Sequence, residues 1–359
     1  MKVTEYDFPV SRPEPPRDGF GRYLLPAPDG SSPEKAFTRA TTIAGSIDDK
    51  FNIGRWRERL VAEGFRTKPE LLESIDPLAD DREVRDQLQA AADEAFLAAG
   101  GDVASRRGTQ LHTCTELVDM GIWTLEDVPE EYRREVTAYR AALDKHGIRV
   151  DPEAVERIVY HEGANIVGTA DRLPVIMPDG TRLVADIKSG RDLSYNWGSI
   201  SMQLAIYADA SAMAVAHEDG SYTWEGMPVV DPDTALVFHI PVDKGKCDVH
   251  LLDLRPGRLA VDLALDVREY RRKRGLSKPL AVGQYGLPKK APAKKAATKT
   301  SEAPAPDSTA PTTTEEDIYA ALDKCKSQDD MAAVWTKYTD AWEDKYTEYG
   351  LSRLAKASK

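Results

Sequence analysis

Asp171, Asp186 and Lys188 stand near the two ends of a mostly apolar segment, "GTADRLPVIMPDGTRLVADIKSG" (168–190). Its middle, "MPDGT", reads as a hairpin turn, because Pro presets φ and Asp-Gly accepts the positive φ that tight hairpins demand. With Asp179 and Gly180 as the turn, Pro178 faces Thr181, Lys188 faces Asp171, and Asp186 lies on the diagonal. Directly opposed strand side chains sit about 5 Å apart and diagonal ones about 7–8 Å, so two carboxylates and an ammonium converge within one ion's reach. Pro174 interrupts the first strand and marks an edge or a bulge at which this register can shift.

A solvated ion pair between Asp171 and Lys188 would need polar neighbours. The register instead puts Leu173, Val175, Met177 and Val184 beside the charges, with Ile176, Leu183, Ala185 and Ile187 on the opposite face. Two carboxylates held together in apolar surroundings call for a cation. Mg²⁺ (or Mn²⁺) prefers oxygen ligands, takes one or two protein carboxylates and leaves the remaining positions to water and phosphate. Asp171 and Asp186 supply that pair, and the Ile187 carbonyl offers a further oxygen. Lys188 then holds the attacking hydroxide or the transition-state oxygens, and phosphodiester hydrolysis is the reaction class that suits the set. The tripeptide Asp-any-Lys is weak alone, since "DDK" at 48–50 and "EDK" at 343–345 share its spacing. The hairpin supplies the weight.

The elements that must position these residues follow from periodicity. Residues 1–50 are rich in Pro and Gly and read as an irregular arm. Residues 51–286 read as one α/β domain, helical over 51–147 and αβ over 148–286. In the second part, short β-branched runs at 153–188 precede a helix over "SYNWGSISMQLAIYADASAMAVA" (194–216). Two strands, "TALVFHIPV" and "CDVHLLDL", and a closing helix, "RLAVDLALDVREYRRKRG", complete it. Residues 287–314, dominated by Lys, Ala, Pro, Thr and Ser, cannot bury a core and are expected to be a disordered linker. Residues 315–359 regain helical periodicity, with Met331, Val334, Trp335, Tyr338 and Trp342 on one stripe of a small helical hairpin. That stripe suits packing first and a protein partner second.

Read in order, "GTQLH", "GTAD", "DIKSG" and "QLAIY" resemble the nuclease motifs of the RecB-like branch of the PD-(D/E)XK superfamily, over residues 105–275. The resemblance implies a mixed central sheet flanked by helices. It implies His112 as a metal-binding histidine, Asp171 and Asp186 as metal carboxylates, and Lys188 as the catalytic lysine. It also implies that Gln203 and Tyr207 orient the site or its DNA, and it gives Glu156, in "VERIVY", an accessory acidic role. Taken singly, a helical histidine is more often a satisfied polar residue, and Gln203 with Tyr207 would be packing. "FTRATTIAGSIDDKFNIGRW" (37–56) resembles the opening of phage-encoded exonucleases in this group. The CRISPR-associated exonucleases of this branch carry four cysteines for an iron–sulfur cluster. Here Cys114, Cys247 and Cys325 form no such set, so a cluster and its adaptation role are not expected.

The formal net charge is -12, so any DNA-binding surface must be local. Arg271, Arg272, Lys273 and Arg274 form one basic run at a helix C-terminus, where the macrodipole alone also favours cations. Lys289, Lys290, Lys294, Lys295 and Lys299 add a second, in the linker. The N-terminus lacks an apolar signal region and no run reaches transmembrane length, so a cytoplasmic protein without membrane contact is expected. The expectation is a metal-dependent DNA exonuclease, phage-encoded, serving recombination, repair or genome processing. The alternatives are a structure-specific or restriction-like endonuclease, and a catalytically idle DNA- or protein-binding module on a nuclease fold.

Overall fold

Residues 1–50, expected as an irregular arm, supply part of the core. Strands β1 (Tyr23–Leu25) and β2 (Lys35–Arg39) pair with each other, and a short helix α1 (Ala40–Ala44) follows. Tyr23, Leu25, Phe37 and Ile43 are buried. The surrounding Pro and Gly hid strands too short to show an alternating pattern. The computed structural model describes residues 3–73, 75–76 and 80–279, together with 315–325 and scattered positions from 330 to 349.

The helical region forms as its periodicity requires: α2 (Phe51–Thr67), α3 (Glu70–Glu73), α4 (Asp81–Ala98), α5 (Val103–Asp119) and α6 (Glu130–His146). Asp80 caps α4 by accepting from the Arg82 and Glu83 N–H groups. Gly147 ends α6 at φ 62°, a left-handed conformation that glycine adopts freely. Helices α2 and α4 share a small core of their own through Val61, Phe65, Ala91 and Ala95.

The strands are β3 (Arg149–Val150), β4 (Val155–His161), β5 (Ile166–Ile176) and β6 (Arg182–Lys188). Helix α7 (Trp197–Ala208) leads to β7 (Ala212–Ala216), β8 (Tyr222–Gly226), β9 (Thr234–His239), β10 (Asp248–Asp253) and α8 (Arg255–Arg272). The sheet runs β10-β9-β6-β5-β4-β7-β8, with β2 and β3 also pairing to β5. It is mixed, because β6–β9 and β2–β5 are parallel and the other pairs antiparallel. One face packs Leu173, Val184 and Val237 against α1, α7 and α8. The other packs Leu183, Ala185, Ile187 and Phe238 against Leu111 of α5 and Tyr132 and Tyr139 of α6. The molecule is therefore α/β, a large mixed sheet between helices.

Two expectations are corrected. The helix expected over 194–216 ends at Ala208, and its last residues are strand β7. Ala and Met suit a helix, but the Ser211 N–H donates to the Tyr160 carbonyl at 2.8 Å and Met213 pairs with Val159, so sheet pairing overrides propensity. The hairpin register also differs, in two steps. Met177 and Thr181 close the turn, with the Met177 N–H 2.8 Å from the Thr181 carbonyl, so the loop has three residues, Pro178, Asp179 and Gly180. Gly180 takes φ 88°, as three-residue hairpin loops ask of their last position. A second step lies between Arg172 and Val175, where the ladder shifts from Val175–Leu183 to Arg172–Ala185. Pro174, which has no N–H to give, sits inside that bulge. Val175 and Met177 consequently join the α5–α6 face, opposite Leu173 and Val184.

Within the C-terminal unit, Pro279–Lys359, α9 (Glu315–Leu322) buries Ile318 and Leu322 with Tyr346, and Val334 and Tyr338 pack beside them. The linker over 287–314 and the side chains of Met331, Trp335 and Trp342 lie outside the described residues. Among the described residues, no helix is long and apolar enough to cross a membrane.

Candidate active site

Past the bulge, the β5–β6 register puts Asp171 level with Asp186. On the other side, Glu156 of β4 is level with Asp171, between the pairs Val155–Arg172 and Arg157–Ala170. Three carboxylates thus stand in a row across three neighbouring strands. Lys188 is not opposite Asp171, as the two-residue turn would have it. It stands two residues beyond Asp186 on the same strand, with its Nζ 2.5 Å from Asp186 Oδ2.

Asp171 is fixed from two sides. Its Oδ2 accepts from the Ile187 N–H at 2.7 Å and lies 3.5 Å from His112 Nδ1. Asp186 is 1% exposed. Its Oδ1 accepts from Gln203 Nε2 at 3.5 Å, the limit of a hydrogen bond, and Gln203 also donates to Tyr207 Oη at 3.0 Å. Asp186 Oδ2 is paired with the Lys188 ammonium.

The framework explains why these groups meet. Helix α5 aims His112 and, one turn on, Glu116 toward the strands, the i,i+4 spacing sharing a face. Beneath it Arg172, fully buried, clamps α5 to β5. Its Nε is 2.8 Å from Asp119 Oδ2, and its Nη2 donates to Thr115 Oγ1 at 3.3 Å. Tyr139 of α6 donates to the same Asp119 carboxylate at 2.7 Å. On the α7 side, Gly168 gives Tyr207 its place, for a Cβ there would lie 2.5 Å from the ring and 2.9 Å from the hydroxyl. That is why "GTAD" and "QLAIY" occur together. Glu156 takes φ 50°, a left-handed backbone that costs a non-glycine residue about 1–3 kcal/mol.

A cleft of about 510 Å³ opens over the Glu156 and Asp171 end of this row, lined by His112, Glu116, Glu156, Asp171 and Ser189, with Glu14 from the N-terminal arm, and Asp186 is not part of its wall. Burial, then the neighbouring Asp171, pushes the Asp186 carboxyl up to about 7, against the pull of Lys188. Burial also raises Glu156 well above the usual carboxylate range, with Asp171 adding to it, and raises Glu116. Burial lowers His112, although Asp171 opposes it, so the imidazole is neutral near pH 7 and able to ligate. Burial pulls Lys188 down, but Asp186 and Asp171 outweigh it, and the ammonium is held above the ordinary lysine value.

Of the residues singled out from sequence, the structure brings together His112, Asp171, Asp186, Ile187, Lys188, Gln203, Tyr207 and Glu156. Arg271 and Arg272, in the last turn of α8, and Lys273 and Arg274 after it form a separate exposed cluster. All three cysteines are free. Sequence reasoning missed Glu116, whose signal was its one-turn spacing from His112, and the Arg172–Asp119 clamp, which has no sequence-local signature. Among the described residues, no group of three or more His, Cys, Asp and Glu side chains is already gathered around one point. Mg²⁺ asks for only one or two carboxylates, and the neighbouring Asp171 and Asp186 fit such an ion. No family model matches this chain, and no curated protein matches it.

Proposed function

We propose that this chain is a metal-dependent deoxyribonuclease on a PD-(D/E)XK core, an exonuclease hydrolysing DNA phosphodiester bonds in recombination, repair or genome processing. One observation carries the reading. Asp171 and the buried Asp186 stand level on neighbouring strands, with one ammonium, Lys188, 2.5 Å from Asp186 Oδ2. Two neighbouring carboxylates against a single ammonium leave negative charge in a buried setting, which a divalent ion would balance.

Asp171, Asp186, the Ile187 carbonyl and His112 would hold the ion. Bound Mg²⁺ or Mn²⁺ neutralises charge gathering on a phosphate and acidifies water. The chain's own residues do the positioning. The Ile187 N–H and His112 fix Asp171, while Gln203, braced by Tyr207, holds Asp186. Lys188 stays cationic and offers its N–H groups to a phosphate oxygen as negative charge develops there. Burial and the neighbouring Asp171 favour the neutral form of Glu156, which limits the negative charge in a site that must accept a polyanion.

Purified protein with Mg²⁺ or Mn²⁺ is expected to degrade end-labelled linear DNA. Asp186→Ala and Lys188→Ala should each lower the rate at least ~100-fold while the far-UV circular dichroism stays unchanged. Full activity in the double variant would end the proposal. Prompt cutting of covalently closed DNA would convert it to an endonuclease.

A further inference from the structure

A second cavity, of about 1000 Å³, adjoins the catalytic cleft and shares Glu14, Thr113, Glu116 and Glu156 with it. Its roof is the N-terminal arm. Residues 4–8 are tied to the α5–α6 side: Gln110 donates to the Thr4 carbonyl at 2.8 Å, Tyr6 packs on Tyr132, and Phe8 on Trp123. Further on, Ser11 donates to Glu116, and Tyr222 of β8 donates to the Pro13 carbonyl at 3.3 Å. Residues 9–17 therefore cross from the helices to the β7–β8 edge with space beneath them.

Two guanidiniums meet in that space. Arg12 Nη2, from the roof, and Arg157 Nη1, from β4, both donate to the Glu153 carbonyl at 3.3 Å. Like charges brought to one neutral oxygen repel, and although Glu14, Glu116, Glu156 and Glu218 also line the passage, the cationic spot is local to these two guanidiniums. Glu153 is 3.7 Å from Arg12 and largely exposed, while Glu225 holds the far side of Arg157 at 2.7 Å. The Nε of each arginine is buried without any acceptor. Two cations sharing one carbonyl, each with an unused donor, are a site for an anion that brings several acceptor oxygens.

We infer that this passage is a phosphate-binding track. Arg12 and Arg157 take backbone phosphates of one nucleic-acid strand whose neighbouring phosphodiester lies over Asp171 and Asp186. The ligand is a single strand, because a roof of one extended chain tied down at both ends leaves no room for a duplex. Such contacts neutralise phosphates without reading sequence. The inference rests on the nuclease reading for what happens at the far end of the track, but the binding it asserts does not require catalysis.

The test is fluorescence anisotropy of a labelled thymidine oligonucleotide bound to the full chain in EDTA, where nothing is cut, over a series of salt concentrations. Arg12→Ala and Arg157→Ala should each weaken binding and lower the slope of log affinity against log salt by about 0.7, the value for one single-strand phosphate contact. Arg12→Lys and Arg157→Lys should keep the slope. A purely structural role would move the melting temperature and leave the slope alone. If Arg157→Ala does not fold, Arg12→Ala with Arg157→Lys decides. An unchanged slope in the alanine variants overturns the track even if the protein digests DNA. Arginine-dependent binding by a chain that never cuts would keep the track and refute the nuclease.

Discussion

Asp186 is where, on the nuclease reading, the fold gives up stability for chemistry. In water its carboxyl ionises at an ordinary value of 3.8, while in the folded chain burial and Asp171 carry it to about 7. Between those values the folded state holds a proton that the unfolded state has released. The protonated group's contribution is thus fully present at the acid end and lost as pH rises through about 4 to 7. In EDTA the melting temperature should fall over that window more steeply than in Asp186→Asn, which cannot ionise. The difference between the two proteins isolates this group from the other carboxylates. Added Mg²⁺ should raise the melting temperature more above pH 7 than below it, because protons and the ion compete for the same oxygens. Equal pH slopes in the two proteins would mean that Asp186 ionises freely in the fold. On the nuclease reading, Asp186→Asn also loses a metal carboxylate and is inactive.

At the scale of elements, the site depends on how closely α5 and α7 seat against β5. Gly168 lets the Tyr207 ring lie on the strand, so Gly168→Ala must push the ring away and with it the Gln203 amide that Tyr207 braces. Activity should fall about tenfold, with a loss of about 1–3 kcal/mol of stability from the strain of the added methyl. A Tyr207→Phe change on the Gly168→Ala background separates the hydroxyl from the ring. On the other side, Asp119→Ala leaves Arg172 charged and buried without its partner, a loss of about 3–5 kcal/mol readable as a fall in the denaturant midpoint. Stability unchanged in Asp119→Ala would show that α5 needs no clamp. The same elements show what the sequence could and could not reveal. Asp171, Asp186 and Lys188 were legible because chemistry-bearing residues in an apolar hairpin are conspicuous, and α4 to α6 because their stripes are long. The register was not, because "MPDG" admits loops of two or three residues and Pro174 adds a bulge whose size no local rule fixes. Strands β1, β2 and β7 were hidden for a related reason: each is short, and β2 and β7 are held by partners far along the chain. Arg172 and Asp119 are 53 positions apart, so only the folded chain pairs them.

For the whole molecule, charge decides what the C-terminal unit is for. A protein of net charge -12 repels DNA at long range, and only locally basic segments can reverse that. The residues of the candidate site and the Arg12–Arg157 pair all lie in the unit Met1–Lys278, which has cores on both faces of its sheet. The chain truncated after Lys278 should therefore fold, melt as a single cooperative unit and keep its turnover rate on short oligonucleotides. It also loses Lys289, Lys290, Lys294, Lys295 and Lys299, which lie in a segment whose Ala, Pro and Thr composition has little to bury. On the nuclease reading, lysines in such a segment would bind phosphates regardless of sequence and hold long DNA near the cleft, raising its effective concentration. Long linear DNA at low salt should consequently be digested more slowly by the truncated protein, and the gap should close as salt is raised. The full chain with those five lysines changed to glutamine should match the truncation if charge is the cause. If the glutamine protein instead matches wild type while the truncation is slow, the contribution belongs to residues 315–359, and a partner or the DNA itself is engaged by that helical unit rather than by the tether.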